Sequence, residues 1–480
     1  MNPRLSAVEL IEQVLDPGSF ESWDEPIDRS SYSPDYRREV ELAMERAGTD
    51  ESVLTGCGRV GGRRVAVVVS EFRFLAGSIG RATAGRIVAA VRRATAEGLP
   101  LLATTASGGT RMQEGTPAFV EMIEIIRAVM AHRAAGLLYL VHLRNPTTGG
   151  VYASWGSLGH LTLAQPRALV GFLGPRVFQA LNGETFPAGV QTAENLAAKG
   201  VIDAVVEDGD LRALVSRALT VVVDSPAGPS LPRRTRPPRT ERSAWDAILE
   251  TRRAGRVGVR DLLRHGGSDT VRLSGTGEGE RDDSVLLALT RLDGQSCVVV
   301  GQDGSRQSAQ TPLGPAALRA ARRGMRLAEE LRLPLVTVID TPGAELSPRA
   351  EEGAMAGEIA RCIAELTTMT VPTVSVILGQ GCGGGALALL AARTVIATEN
   401  AWLAPLPPEG ASAIVHGDTL HAVEMAEAQQ VRALDLRAAG VVHHVVPESP
   451  GEPTEALARA VVAEVATSLA ARAQRYLPAS

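Results

Sequence analysis

Leu99–Thr110 reads LPLLATTASGGT, and Leu333–Ala344 reads LPLVTVIDTPGA. Each stretch opens on Leu-Pro-Leu, continues for the length of a buried strand and breaks at a glycine turn. Pro100 to Gly109 and Pro334 to Gly343 are both 9 positions, and Gly109 to Gly150 and Gly343 to Gly384 are both 41. The echo runs on to Ala198-Lys199-Gly200-Val201-Ile202 and Ala438-Ala439-Gly440-Val441-Val442. A duplication on this scale implies two copies of one domain, each with two glycine turns.

Working outward, strands alternate with helices. In the first copy the pattern predicts strands over Arg64–Ser70, Leu99–Thr105 and Leu137–Val141, with helices over Gly85–Thr95 and Thr116–His132. The second copy repeats it: strand Ser296–Val300, helix Ala316–Leu331, strand Leu335–Ile339, helix Glu351–Glu365 and strand Thr373–Leu378. Its cluster Gly379–Gly385 then opens a helix over Ala386–Ala392. Short connections between alternating elements argue for an α/β fold with mainly parallel pairing. Residues 1–50 read as a polar, helical lead-in. Residues 223–240 (VDSPAGPSLPRRTRPPRT) have the composition of a linker, and the basic run reads as a solvated tether rather than a binding patch. The expected organisation is a domain over 1–222, this linker, and a domain over 241–480.

Composition narrows the function classes. The 480 residues carry a net charge of −5, which gives no electrostatic case for a nucleic acid or a membrane surface as partner. The amphipathic, acidic start is unlike a secretory signal, and no apolar run reaches the ~18 residues that span a bilayer. Cys57, Cys297, Cys362 and Cys382 stand apart with no CxxC pair, so neither a zinc site nor a disulfide framework is expected, and a reducing cytoplasm fits. Lys199 is the only lysine. That excludes a Gly-Lys-Ser/Thr phosphate loop and a lysine site for attaching biotin. There is no Gly-x-Ser-x-Gly elbow, and the eight histidines fall in no triad or metal spacing. His443-His444, Asp282-Asp283 and Glu351-Glu352 read as structural or solvated.

The glycine turns remain as the chemistry-bearing feature. Glycine admits positive φ and close approach of a ligand to the backbone. N–H groups at a helix start lack intrahelical partners, and aimed at a developing oxyanion one donor is worth about 3 kcal/mol. A lone Gly-Gly is more simply a tight turn. Two clusters per copy in matching register favour the electrostatic role, and with it enolate and acyl-thioester chemistry.

The longer motifs carry a family resemblance. Gly18–Asp24 (GSFESWD), Glu71–Gly80 (EFRFLAGSIG), Ala106–Gly115 (ASGGTRMQEG), Pro146–Gly150 (PTTGG) and Gly171–Arg176 (GFLGPR) resemble the β subunit of acetyl-CoA carboxylase carboxyltransferase. Ala244–Glu250 (AWDAILE), Ile339–Ala344 (IDTPGA), Ala350–Gly353 (AEEG), Gly379–Ala386 (GQGCGGGA) and Pro408–Ile414 (PEGASAI) resemble its α subunit. The resemblance implies two tandem crotonase-like (ClpP/crotonase) carboxyltransferase domains, β and α subunits fused through residues 223–240. It implies transfer of a carboxyl group from carboxybiotin on a carrier protein to acetyl-CoA or another short acyl-CoA, with biotin as the base. A malonyl-thioester decarboxylase is the alternative of the same lineage. By resemblance, Gly108 and Gly109 would hold the thioester oxyanion and Gly384, Gly385 and Ala386 the biotin ureido oxygen. Gly149, Gly150, Pro342 and Gly343 would line the same cleft, and Arg73 and Arg306 would meet CoA phosphates. A biotin carboxyl carrier protein and a biotin carboxylase would be separate partners, and the αβ pair would become a homodimer or higher homo-oligomer. The four-cysteine zinc ribbon usual in the β subunit is missing, so no metal is expected and acetyl-CoA is the less secure part of the reading. Cys382-Gly383 stands where the α subunit more often has glycine and serine.

Overall fold

The two proline-led stretches form central strands of two separate sheets, with Ala66 paired to Leu101 in one and Val298 to Leu335 in the other. The structure is a computed structural model that describes residues 4–476. It divides into two units, the first taking in the described residues through Leu219 with Gly277–Gly279, the second Thr220–Thr276 and the rest.

The first unit begins with helix α1 (Ala7–Val14), strand β1 (Glu21–Ser22) and helix α2 (Pro34–Ala47). A hairpin follows, β2 (Val53–Val60) and β3 (Arg63–Ser70), then α3 (Arg81–Ala96), β4 (Leu101–Ser107), α4 (Gly115–Ala134) and β5 (Tyr139–Thr148). It ends with β6 (Leu161–Ala164), β7 (Val170–Gly171), α5 (Pro175–Asn182), α6 (Ala193–Ala198), β8 (Ala204–Val205) and α7 (Asp208–Val223), whose last turn from Thr220 belongs to the second unit. The sheet order is β1-β2-β3-β4-β5-β6-β8, with β7 on β5, and from β3 onward every pairing is parallel. Ala84, Ile87 and Val91 of α3 and Met122, Ile125 and Val129 of α4 recur at helical spacing and bury against Ala66, Val68, Leu101, Ala103 and Val141.

The second unit repeats the plan. Helices α8 (Ala244–Thr251) and α9 (Val259–Gly266) precede the antiparallel strands β9 (Gly267–Leu273), β10 (Val285–Leu292) and β11 (Gln295–Gln302). Helix α10 (Pro315–Glu330) leads to β12 (Leu335–Thr341), helices α11 (Pro348–Glu352) and α12 (Met355–Thr368) to β13 (Thr373–Cys382), and α13 (Gly383–Leu387) to β14 (Thr394–Thr398). Gly324 lets α10 lie on the sheet, since a Cβ there would fall 2.3 Å from Val300 Cγ2. Val299, Val336, Val338, Val374 and Val376 form the core face.

The pattern-based reading differs from the structure in the strands it left out, in the second glycine helix and in the linker. The longest of the unanticipated strands are β2 and β10. The sequence of β2, VLTGCGRV, looks like a turn, but its glycines make room: Cβ atoms at Gly56 and Gly58 would strike Phe20 and Leu15 of the preceding segment. The second cluster's helix is Gly383–Leu387, not 386–392, because the glycines themselves form its first turn. The 223–240 stretch is extended, but it is no loose tether. Arg233 pairs with Glu464, Arg234 with Glu452 and Arg239 with Glu399, fastening it to the second unit as a strap.

Candidate active site

Both copies end their central strand with the same device. Ser107 Oγ, at the end of β4, accepts the N–H of Gly109 at 3.0 Å, and Thr341 Oγ1, at the end of β12, accepts that of Gly343 at 3.2 Å. A hydroxyl two residues before the amide closes a tight local turn. Gly109 has φ +112° and Gly343 φ +143°, which residues with a Cβ rarely adopt.

The resemblance has Gly108 and Gly109 hold the thioester oxyanion, and in the structure both of their N–H groups have an acceptor within the protein. The Gly108 N–H donates to the Ala76 carbonyl at 2.9 Å, and that of Gly109 is taken by Ser107. The free amides of the first unit lie one turn away. Gly149 donates to the carbonyls of Gly171 and Phe172, whereas the N–H groups of Gly150 and Val151 have no acceptor among the described residues. The two turns touch: a Cβ at Gly109 would sit 3.4 Å from Gly150 N, and one at Gly149 3.3 Å from Gly108 O. Partly buried amides without partners are ligand-seeking groups.

In the second unit the turns also meet. Gly383, at φ +63°, starts α13, and the amides of Gly384 through Ala386 make no backbone hydrogen bond outside the helix among the described residues. A Cβ on Gly384 would come within 2.7 Å of Ile359 Cδ1, and one on Gly385 within 2.8 Å of Leu313 Cδ2 and 3.5 Å of Ala344 N. Ile359 and Leu313 thus pack directly on these two glycines, beside the turn through Pro342 and Gly343, and leave no room for a side chain there. Arg73 and Arg306 are exposed on the loops after β3 and β11, and neither guanidinium has an ion pair among the described residues. These are the loops that brace the first glycine turns, through Ala76 in one unit and Gln307 in the other.

No side chain in these turns offers a strong base or nucleophile. Burial pushes the Cys382 thiol up to about 11, keeping it neutral at pH 7. The four cysteines are buried and apart, and no described cluster fits a metal ion. Val395 N–H binds His443 Nδ1 at 3.0 Å, and burial drives His142 down to about 3, so both serve the scaffold. Asp282 accepts N–H groups from Ser284 and Gly314, also a structural use.

Behind the second unit's turns lies a polar layer that motif reading missed. Asp340 Oδ1 accepts the N–H of Gln380 at 3.1 Å, and Gly304 and Gly379 leave room for its carboxylate. Desolvation, with Asp303 nearby, pushes the Asp340 carboxyl up to about 6, against the Gln380 N–H and Arg256, which favour the charge. A raised carboxyl binds a proton on folding, so its contribution favours the fold in acid and is lost as pH rises through about 6. Asp340→Asn keeps the Oδ1 acceptor and removes the charge. Its melting temperature relative to the wild type is expected to climb between about pH 5 and pH 8; parallel curves would show that the Asp340 charge carries no such cost.

Residues 2–474 match the family model described as the carboxyl transferase domain. A probable biotin-dependent acyl-coenzyme A carboxylase beta3 subunit of Mycobacterium tuberculosis is 55% identical over 487 residues, covering 98% of both chains. The acetyl-coenzyme A carboxylase carboxyl transferase subunits beta/alpha of Saccharopolyspora erythraea are 37% identical over 93% of this chain and 81% of theirs. Among solved structures, transcarboxylase 12S aligns with a TM-score of 0.78 at 22% identity, over 98% of this chain and 90% of that one. A single-chain, multi-domain long-chain acyl-CoA carboxylase aligns at 0.75 and 18%, over 96% of this chain and 46% of its own. These likenesses place both units in the crotonase-like fold.

No helix among the described residues is long and apolar enough to cross a membrane.

Proposed function

The chain belongs to the carboxyl transferase family of biotin-dependent acyl-CoA carboxylases, and from that premise we propose which groups do the work and on what. The substrate is acetyl-CoA or another short acyl-CoA, converted to malonyl-CoA or a homologue. The first unit holds the acyl thioester and the second the biotin ureido ring. The observation that carries this is the pair of amide sets without a backbone acceptor among the described residues, Gly150 with Val151 in one unit and Gly384 through Ala386 in the other.

Amides already fixed in a folded turn stabilise charge on a thioester oxygen without reorganising as it develops. Gly150 and Val151 would take that oxygen, with Gly108 and Gly109 packed beside them as walls. Carboxybiotin, presented by a separate carrier, supplies the carboxyl group and the base that removes the α-proton. Gly384, Gly385 and Ala386 would hold its ureido oxygen, presenting their N–H groups from the start of α13. Arg73 and Arg306, exposed and without an ion pair among the described residues, are suited to CoA phosphates. Pro342 and Gly343 edge the same turn. A biotin carboxyl carrier protein and a biotin carboxylase complete the system. The duplicated chain stands for a fused β/α pair, as the name of the Saccharopolyspora relative suggests. Assembly as a homo-oligomer follows transcarboxylase 12S, a hexamer.

Running transfer in reverse tests this. Purified protein incubated with malonyl-CoA and free biotin is expected to consume malonyl-CoA only when biotin is present, and a series of carboxyacyl-CoAs then ranks the acyl group. Consumption without biotin would instead establish a decarboxylase.

A further inference from the structure

The polar layer behind the second unit's turns contains one side chain that touches both. Gln302, the last residue of β11, is fully buried. Its Nε2 donates to the Gly385 carbonyl at 2.7 Å, and its Oε1 accepts the Asp340 N–H at 3.2 Å. A second amide works alongside it: Gln307 Nε2 donates to the Asp340 carbonyl at 3.1 Å, and its Oε1 accepts from Thr341 Oγ1 at 2.6 Å. Both peptide groups of Asp340 are thereby pinned, and Thr341 Oγ1 passes the constraint on to Gly343.

The Gly385 carbonyl needs this partner. Ala388 donates to Gly384 and Leu389 to Ala386, so the short helix leaves the carbonyl between them without a backbone donor. In a planar trans peptide the carbonyl of Gly385 and the N–H of Ala386 point in opposite directions. Fixing one fixes the other. Gln302 therefore determines where the Ala386 amide aims, although it touches no ligand itself.

The first unit lacks this arrangement. Strand register places Ser70 where the second unit has Gln302, and the Ser70 Oγ is buried with no partner among the described residues. A hydroxyl cannot span the gap that a glutamine spans. Duplication has thus left an amide strut in one copy only.

We propose that Gln302 is a positioning residue that aims the Ala386 N–H at the ureido oxygen of biotin and sets the spacing between the unit's two glycine turns. The proposal rests on the assignment of this turn to biotin. It predicts an asymmetric defect. Gln302→Leu keeps the volume and removes both hydrogen bonds, so Kd and KM for free biotin are expected to rise about ten-fold or more. KM for the carboxyacyl-CoA should stay within about two-fold, because that site is built on the other unit's amides.

Gln302→Glu supplies a second readout and stays hydrophilic if the leucine variant fails to fold. Its carboxylate still accepts from Asp340 but faces the Gly385 carbonyl with no proton to donate; once protonated, it donates again. The ratio of wild-type to Gln302→Glu biotin affinity should therefore narrow as pH falls. The measurements are equilibrium titration of biotin in the absence of acyl-CoA, reverse-reaction kinetics for each substrate, and melting temperature. Unchanged biotin affinity in a folded Gln302→Leu protein, a pH-independent ratio for Gln302→Glu, or equal rises in both KM values would overturn the positioning role. A wild-type protein that does not carboxylate biotin at all would instead overturn the functional reading beneath it.

Discussion

Gly109→Val is expected to lower kcat for carboxyl transfer by two orders of magnitude or more while the protein remains folded. A Cβ at this position would lie 3.4 Å from Gly150 N, 3.5 Å from Gly149 Cα and 3.6 Å from Thr148 O. The first methylene-sized atom is therefore just accommodated, and the γ-methyls are not. They project over the Gly150 amide, where the acceptor of its N–H has to sit. Removing one preorganised donor from an oxyanion site costs roughly 100- to 1,000-fold, and the loss falls on kcat because the charge develops only in the transition state. Backbone strain adds to the effect, since φ +112° is a conformation that β-branched residues avoid. Gly109→Ala separates the two causes. It carries the strain and little of the obstruction, so it should lose stability like the valine variant while keeping most of the rate. Steady-state kinetics beside melting curves make the comparison. A folded valine variant within about ten-fold of the wild type would take the Gly150 amide out of the mechanism.

What the sequence revealed, and what it hid, follows from which groups carry the chemistry. The doubled spacing from proline to glycine to glycine is a backbone property, and the register pairs of both sheets reproduce it, Leu101 with Tyr139 and Leu335 with Thr373. Helices α3, α4 and α10 have apolar faces with helical period, so they were legible too. Strand β2 was hidden because Gly56 and Gly58 answer to Phe20 and Leu15, contacts between segments that no local pattern encodes. Which amides of the first unit lack an acceptor was hidden for a related reason. Gly-Gly marks a turn, but which N–H stays free depends on where acceptors such as the Ala76 carbonyl fall. Gln302 carried no motif signal at all. A glutamine ending a strand looks like any polar residue, and only its burial between two turns gives it meaning. A glutamine at the register position that holds a serine in the other copy was the single detectable hint, and it needed the strand pairing to be seen.

Arg111→Met is the substitution with the largest expected effect on stability, about 3–5 kcal/mol. Arg111 lies two residues past Gly109 and is among the largest fully buried side chains. Its guanidinium pairs with the buried Glu51 and donates to Tyr36 Oη at 3.2 Å, Ser52 Oγ at 3.1 Å, the Ser78 carbonyl at 2.8 Å and Thr83 Oγ1 at 3.2 Å. It thus gathers α2, the start of β2 and the start of α3 around the strand end that carries the Ser107–Gly109 turn. Methionine fills most of the volume but leaves Glu51 as a buried carboxylate without its cation. The cost of an uncompensated charge exceeds the net worth of the pair, and this asymmetry makes the prediction testable. Arg111→Met combined with Glu51→Gln removes the stranded charge, so the double variant should be more stable than Arg111→Met alone. Denaturant or thermal unfolding of the single and double variants reads the difference. If the double variant were no more stable than the single one, the stranded charge would not be the cause, and Arg111 would act through packing and its neutral hydrogen bonds. Loss of transfer should accompany loss of stability, because the guanidinium holds the Ser78 carbonyl, and the N–H of the same peptide group, that of Ile79, donates to the Gly109 carbonyl. The residue that closes the fold around Glu51 therefore also holds the glycine turn against the Gly150 amide.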